Sequence, residues 1–108
     1  MQYISIQIAP EFLAKFDRHY FLARVKAVGR TPEIDEFVEK GERYLQFHFF
    51  TETPKVLWQD LQNALYSHSE YSNVICPISI AVYDDENTNN PLLTLHHFDK
   101  NEKIDPLK

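Results

Sequence analysis

Residues 44–66 read YLQFHFFTETPKVLWQDLQNALY, and the period of their apolar positions changes part-way along. Leu45, Phe47 and Phe49 alternate with Tyr44, Gln46, His48 and Phe50, the two-residue repeat of a strand. Thr53 and Pro54 then mark a helix start, because proline at the first helical position gives up an N–H that has no acceptor in the helix. Leu57, Leu61, Ala64, Leu65 and His68 follow at helical spacing, so the helix can lay an apolar stripe back on the strand. A strand–helix unit of this kind predicts a core with helices on one side of a sheet.

Upstream, Ile4, Ile6 and Ile8 alternate with Tyr3, Ser5 and Gln7, a second half-buried strand. Pro10 opens a short helix to Tyr20, carrying Phe12, Leu13, Phe16 and Tyr20. Residues 21–28, FLARVKAV, alternate and read as a strand, with continuation of the helix as the alternative. In TPEIDEFVEKG, Thr31 can cap and Pro32 can take the first turn. Glu33, Asp35 and Glu36 suit a helix N-terminus, and Lys40 with Gly41 suits the other end. This segment is expected to be a short acidic helix or helical loop with Ile34, Phe37 and Val38 turned inward.

Downstream of the opening stretch, residues 67–73 read as a polar connector. Ile75 to Tyr83 reads as a strand, with Ile78, Ile80 and Val82 on one side. DDENTNNP is a loop, and Leu92 to Phe98 returns as a strand in a hairpin. The expected architecture is α+β: a single-layer, mainly antiparallel sheet of about five strands, with two or three helices on one face. A ferredoxin-like βαββαβ order with an extra C-terminal strand fits the succession. Residues 1–98 form one domain in this reading, and 99–108 a polar tail.

With 108 residues, 44% of them hydrophobic and 14% aromatic, the chain can build one well-packed core. Two glycines are too few for GxGxxG, and Gly29 and Gly41 lack the spacing of GxxxxGK[ST], which excludes those phosphate cradles. The lone Cys76 excludes an intramolecular disulfide and a cysteine-rich zinc site. No basic n-region with an apolar h-region opens the chain, and no run reaches the roughly 18 apolar residues of a membrane span. A soluble, cytoplasmic protein is the expectation.

Catalytic signatures are weak. His19, His48, His68, His96 and His97 show no metal-ligand spacing, and His48 can meet His96 only if their strands are neighbours. Cys76 lacks a helix N-terminus that would activate it, and no serine lies in a GxSxG elbow. His68, Ser69 and Glu70 fall in the polar connector. Asp84, Asp85 and Glu86 lack the glycine and spacing of a calcium loop. No catalytic residue, metal or cofactor is expected.

The surface carries more information. A net charge of −5 disfavours nucleic acid and anionic membranes and favours a basic protein partner. Glu33, Asp35, Glu36, Glu39 and Glu42 form one acidic segment; Asp84, Asp85 and Glu86 form another. Beside them, Tyr44, His48 and Phe50 point away from the core. These residues are the expected partner-binding set of a non-catalytic, inhibitor- or immunity-type protein that neutralises a basic partner such as a nuclease toxin. The open sheet face is expected to show Tyr3, Arg24, Lys26, Tyr44, Gln46, His48, Phe50, Tyr83, His96 and Phe98. Aromatics mixed with bases there would suit single-stranded RNA, the alternative reading. An enzyme with a site completed across a homodimer is a third. No motif is specific enough to carry a resemblance to a known family.

Overall fold

The alternating N-terminal segment becomes the central strand of the sheet. In the computed structural model, which describes residues 1–67 and 70–107, five strands form in chain order. They are β1 (Gln2–Ile8), β2 (Glu33–Glu39), β3 (Glu42–Thr51), β4 (Ser79–Asp85) and β5 (Leu93–His96). The sheet order is β2-β3-β1-β4-β5, and every neighbouring pair is antiparallel. A register shift between Ala81 and Val82 interrupts the β4–β5 ladder. This is an α+β protein with an open antiparallel sheet; no named topology is assigned to it.

The helices are α1 (Arg18–Ala27), α2 (Pro54–Leu61) and α3 (Ser72–Ile75), with a 3-10 turn at Pro10–Lys15. A π-helical segment, Gln62–Tyr66, extends α2, and Ser67 N–H donates to Gln62 O at 2.8 Å. The helical layer packs on Ile4, Ile6, Ile8, Leu45, Phe47 and Phe49, joined in the core by Phe21, Val25, Leu57, Leu61 and Leu65. Phe21 of α1 stacks on Phe47 of β3 with ring centroids 4.3 Å apart. The apolar stripe of α2 is thus seated as its spacing predicts; His68, its last member, lies outside the described residues.

Several expectations from local pattern are corrected. Residues 21–27 are helical, not a strand, and Val28 is the C-cap. The helix expected from Pro10 to Tyr20 is a 3-10 segment that ends at Lys15, and Asp17 caps a new helix, α1, by accepting from Tyr20 N–H at 3.0 Å. At its other end Gly29 takes φ 79°, donating to Lys26 O, while Arg30 N–H reaches back to Val25 O. Two such bonds around a left-handed glycine are the Schellman closure, and with the Asp17 cap they outweigh a chance alternation of apolar residues.

The acidic segment is a strand, not a helix. Lys40 and Gly41 both have positive φ, 52° and 81°, which is the two-residue type I′ turn of a β-hairpin. Glu39 therefore pairs with Glu42, and β2 zips along β3 to Glu33 opposite His48. Pairing with a strongly patterned strand overrode the helical spacing of Ile34, Phe37 and Val38.

The fourth strand begins at Ser79 rather than Ile75. Residues 72–78 fold as α3 and a 3-10 turn, where Pro77 needs no ladder hydrogen bond and Ile75 can enter the core. At the C-terminus, Asp105 N–H donates to Thr94 O at 2.8 Å, and Thr94 N–H donates to Asp105 Oδ2 at 3.0 Å. Leu107 packs against the core, so part of the expected polar tail lies along β5.

Candidate functional site: the uncovered sheet face

Helices cover one side of the sheet, and strand pairing dictates what the other side presents. Because side chains alternate and the register is fixed, one face collects Tyr3, Ser5 and Gln7 from β1 and Tyr44, Gln46, His48 and Phe50 from β3. The same face takes Glu33, Asp35, Phe37 and Glu39 from β2, Glu42 from β3, and Ile80, Val82 and Asp84 from β4. Its strand positions thus include Glu33, Asp35, Glu39, Glu42 and Asp84 and no lysine or arginine. Arg43, the basic residue of β3, belongs to the opposite face with Val38.

The aromatic groups form two patches. Tyr3 meets His48 edge-on at 5.9 Å and Phe50 at 5.6 Å. Nearer the hairpin, Phe37 and Tyr44 stack across β2 and β3 at 5.1 Å, with ring planes 14° apart. Between the patches, Gln46 Nε2 donates to Gln7 Oε1 at 2.7 Å. Phe50 is exposed, while the other rings are half-buried by one another.

Acids hold two of these rings at their polar ends. Tyr3 donates its hydroxyl to Asp84 Oδ2 at 3.0 Å, and Tyr44 donates to Glu42 Oε2 at 3.2 Å. Partial burial raises the Tyr3 pKa, helped by the hydrogen bond to Asp84 and the charges of Asp84 and Glu86. For Tyr44 the leading cause is the bond to Glu42, and the charges of Glu42 and Glu39 add to it. In both cases neighbouring carboxylates add to the rise.

At its centre a serine, a histidine and an aspartate line up. Ser5 Oγ and His48 Nδ1 share a hydrogen bond of 2.5 Å, and His48 Nε2 lies 3.7 Å from Asp35 Oδ2. With neutral imidazole, the Ser5 hydroxyl donates to Nδ1 and the Nε2–H points toward Asp35. The row resembles a nucleophile relay in composition, but its setting is different. Ser5 is only 5% exposed, and β1 is paired along its length to both β3 and β4. The backbone N–H groups that an oxyanion would need are committed to those ladders. The arrangement instead satisfies a buried hydroxyl and fixes the imidazole ring. Periodicity placed Ser5 and His48 on the outward rows, but their juxtaposition required the β1–β3 register.

The expected partner-binding residues divide. Glu33, Asp35, Glu39, Glu42, Tyr44, His48, Phe50 and Asp84 share the uncovered face. Glu36 is on the helix side, ion-paired with Arg18. Asp85 serves the loop: its carboxylate accepts from Asn87 N–H at 2.9 Å and its carbonyl from Thr88 N–H at 3.1 Å. Glu86 follows the strand and donates its N–H to Met1 O at 3.0 Å.

The expected outward set also needs correction. Arg24 and Lys26 ride on α1, where the Arg24 guanidinium donates to Ala64 O at 2.6 Å and sits 5.2 Å from the Tyr71 ring centre. Tyr83 pairs with Ile4, on the helix side of the sheet. His96 also lies there, against the Tyr66 ring at 4.5 Å, with Nε2 2.9 Å from Cys76 O. Phe98 follows β5 rather than belonging to it. A joint His48–His96 site is excluded, since β1 and β4 separate their strands and the two side chains occupy opposite faces.

On the covered side, burial raises the Cys76 thiol pKa, the reverse of what an activated nucleophile needs. Among the described residues no group of three or more His, Cys, Asp or Glu side chains could hold a metal ion. Nor is any described helix long and apolar enough to cross a membrane. His68 and Ser69, two members of the connector triplet, lie outside the described residues. Sequence reasoning missed an open apolar trough of about 450 Å³ between Phe12, Phe16, Tyr20, Tyr71 and Val74. The fold and this face define an α+β protein with an acidic, aromatic sheet surface. In comparison with known proteins, the chain matches no family model, no curated protein and no solved structure.

Proposed function

We propose that this protein is a non-catalytic binding module whose uncovered sheet face engages a basic protein. The supporting observation is the composition of that face: acids at Glu33, Asp35, Glu39, Glu42 and Asp84 around aromatic rings, with no lysine or arginine among its strand positions. Aromatics supply contact area at low conformational cost, and acids steer a cationic partner into register. Five strands about 4.8 Å apart and about seven residues long give a face of roughly 500 Å² before side-chain relief. With its rim, this approaches the roughly 800 Å² per partner of a stable interface.

The concrete form is an inhibitor- or immunity-type protein that occludes the cationic surface of its target, as a nuclease toxin would offer. Removal of Arg24 and Lys26 from the sheet face argues against RNA, because a polyanion would meet carboxylates there.

The immobilised chain, presented to extract of its native host with and without nuclease treatment, tests the reading. Two variants accompany it: Asp35→Lys with Asp84→Lys on the face, and Glu11→Lys with Glu102→Lys away from it. A captured basic protein that survives nuclease treatment, persists with the distant variant and disappears with the face variant supports the proposal. Capture indifferent to the face variant overturns it. So does a captured species that is RNA or an acidic protein.

A further inference from the structure

The two edges of the sheet are finished differently. At β5, the outward groups of Thr94 are taken by Asp105, whose backbone N–H and carboxylate lie alongside as an added half-strand. At β2, the strand pairs only with β3, and no other backbone bond to residues 33–39 is formed among the described residues. The type I′ turn settles which groups are free. Its closing pair, Glu39 with Glu42, exchanges hydrogen bonds, and so do Phe37–Tyr44, Asp35–Gln46 and Glu33–His48 in alternation. The N–H and C=O groups of Ile34, Glu36 and Val38 therefore point away from the sheet. Ile34 is 43% exposed and Val38 68% exposed beside them. That is the template for an incoming strand.

Charge identifies the occupant. A second copy meeting β2 antiparallel about Glu36 would set Glu36 against Glu36 and Glu33 against Glu39, so like charges would face each other. An acidic or neutral strand gains little there. A strand with Lys or Arg opposite Glu33, Asp35 and Glu39 would meet opposite charge on that face. Apolar residues opposite Ile34 and Val38 would cover exposed hydrophobic surface on the other. Glu36, already paired with Arg18, makes no such demand.

We infer that the β2 edge receives an extended segment of the basic partner, alternating cationic and β-branched residues, as an added antiparallel strand. The inference rests on the basic-partner reading above and specifies its mode. Acids on the edge then serve two ends: they repel self-pairing and select a cationic strand.

The probe is a capped nine-residue peptide alternating Arg and Val, together with the same sequence N-methylated at alternate residues, in each of the two registers. The methylated forms keep the charges, but the one blocking the outward-facing bonds cannot pair. Binding is followed by titration calorimetry in low salt, and amide hydrogen exchange is followed residue by residue. The expected result is slowed exchange at Ile34, Glu36 and Val38 on binding the parent peptide, with affinity at least about tenfold weaker for one methylated register.

Equal binding by all three peptides, with changes confined to Tyr3, His48 and Phe50, overturns strand addition and leaves the basic-partner reading standing. Protection of the same three amides without peptide, rising with protein concentration, overturns it in favour of a second copy. Absence of binding by the parent peptide up to millimolar concentration overturns the strand-addition inference, while the capture experiment still decides the basic-partner reading.

Discussion

The two faces of the sheet are built from the same strands and obey opposite rules. Toward the helices, β1 and β3 present Ile4, Ile6, Ile8, Leu45, Phe47 and Phe49, all buried and closed over by α1 and α2. Away from them, the intervening positions present tyrosine, phenylalanine, histidine and carboxylates with no helix above. Large rings occur on both sides, but only the covered face excludes water. The difference teaches that aromatic content alone does not locate a core or a site here; what surrounds each ring does.

Truncation of matched rings exposes the contrast most strongly. Phe47→Ala removes a fully buried ring stacked on Phe21 and should cost about 3–5 kcal/mol, measured by urea denaturation. Phe50→Ala, three residues along the same strand but 40% exposed, should cost well under half as much. Equal losses would mean that the uncovered face is a second core.

A polar test on the covered side comes next. Tyr66 shares a hydrogen bond with Ser79 Oγ at 2.9 Å, and Ser79 donates onward to Ile75 O at 2.7 Å. Burial drives the Tyr66 phenol pKa far up, which keeps it a neutral hydrogen-bonding group. Tyr66→Phe leaves the packing and the Ser79–Ile75 bond intact, so a loss of about 1 kcal/mol is expected in the same denaturation series. On the open side, Tyr3→Phe removes a bond to Asp84 that water can replace, and a smaller loss is expected.

Histidine offers a pH version of the comparison. Burial against Tyr66 lowers the His96 pKa below 6.5, outweighing the hydrogen bond to Cys76 O, and neighbouring His97 lowers it further. The unfolded chain therefore takes up a proton at His96 before the folded one does. This contribution to stability is full above about pH 6.5 and is lost as pH falls toward the depressed folded value. Thermal melts between pH 7.5 and 5 should show a fall that is shallower in His96→Gln. An unchanged slope would mean that His96 is protonated as readily in the fold as out of it.

Legibility followed the same division. β1, β3 and α2 were readable because burial imposes strict periods on Ile4–Ile6–Ile8, Leu45–Phe47–Phe49 and Leu57–Leu61–Leu65. Strand β2 was not, since half-exposed edge residues obey no period, and Ile34, Phe37 and Val38 happened to fall at helical spacing. The decisive signal was the two-residue Lys40–Gly41 turn ahead of a patterned strand, just as Asp17 and Gly29 were the signals for α1. Composition gave the acids of the site. Their face could be assigned only once β2 was a strand, because that assignment put Glu33, Asp35 and Glu39 with His48 and sent Glu36 to Arg18. Nothing local in the sequence sets Ser5 opposite His48; that is a property of register between segments far apart in the chain.

The smallest effect on stability is the most informative about the uncovered face. Glu39 and Glu42 stand directly opposite in the β2–β3 ladder, a like-charged pair at a closing position where an attractive pair would serve the hairpin better. Glu42→Lys should therefore raise the melting midpoint slightly, by the equivalent of a few tenths of a kcal/mol. It forfeits the Tyr44 hydroxyl's bond to Glu42, which is solvent-exposed and weak. If the face exists to hold a cationic partner, the same variant should slow association and flatten its dependence on salt, since a charge that steers encounter has been reversed. Stability gained with binding lost would show that the acids are kept at a cost to the fold. Stability gained with binding to the captured partner unaltered would remove the hairpin end from the interface, and the contact would then have to centre on Tyr3, His48 and Asp84.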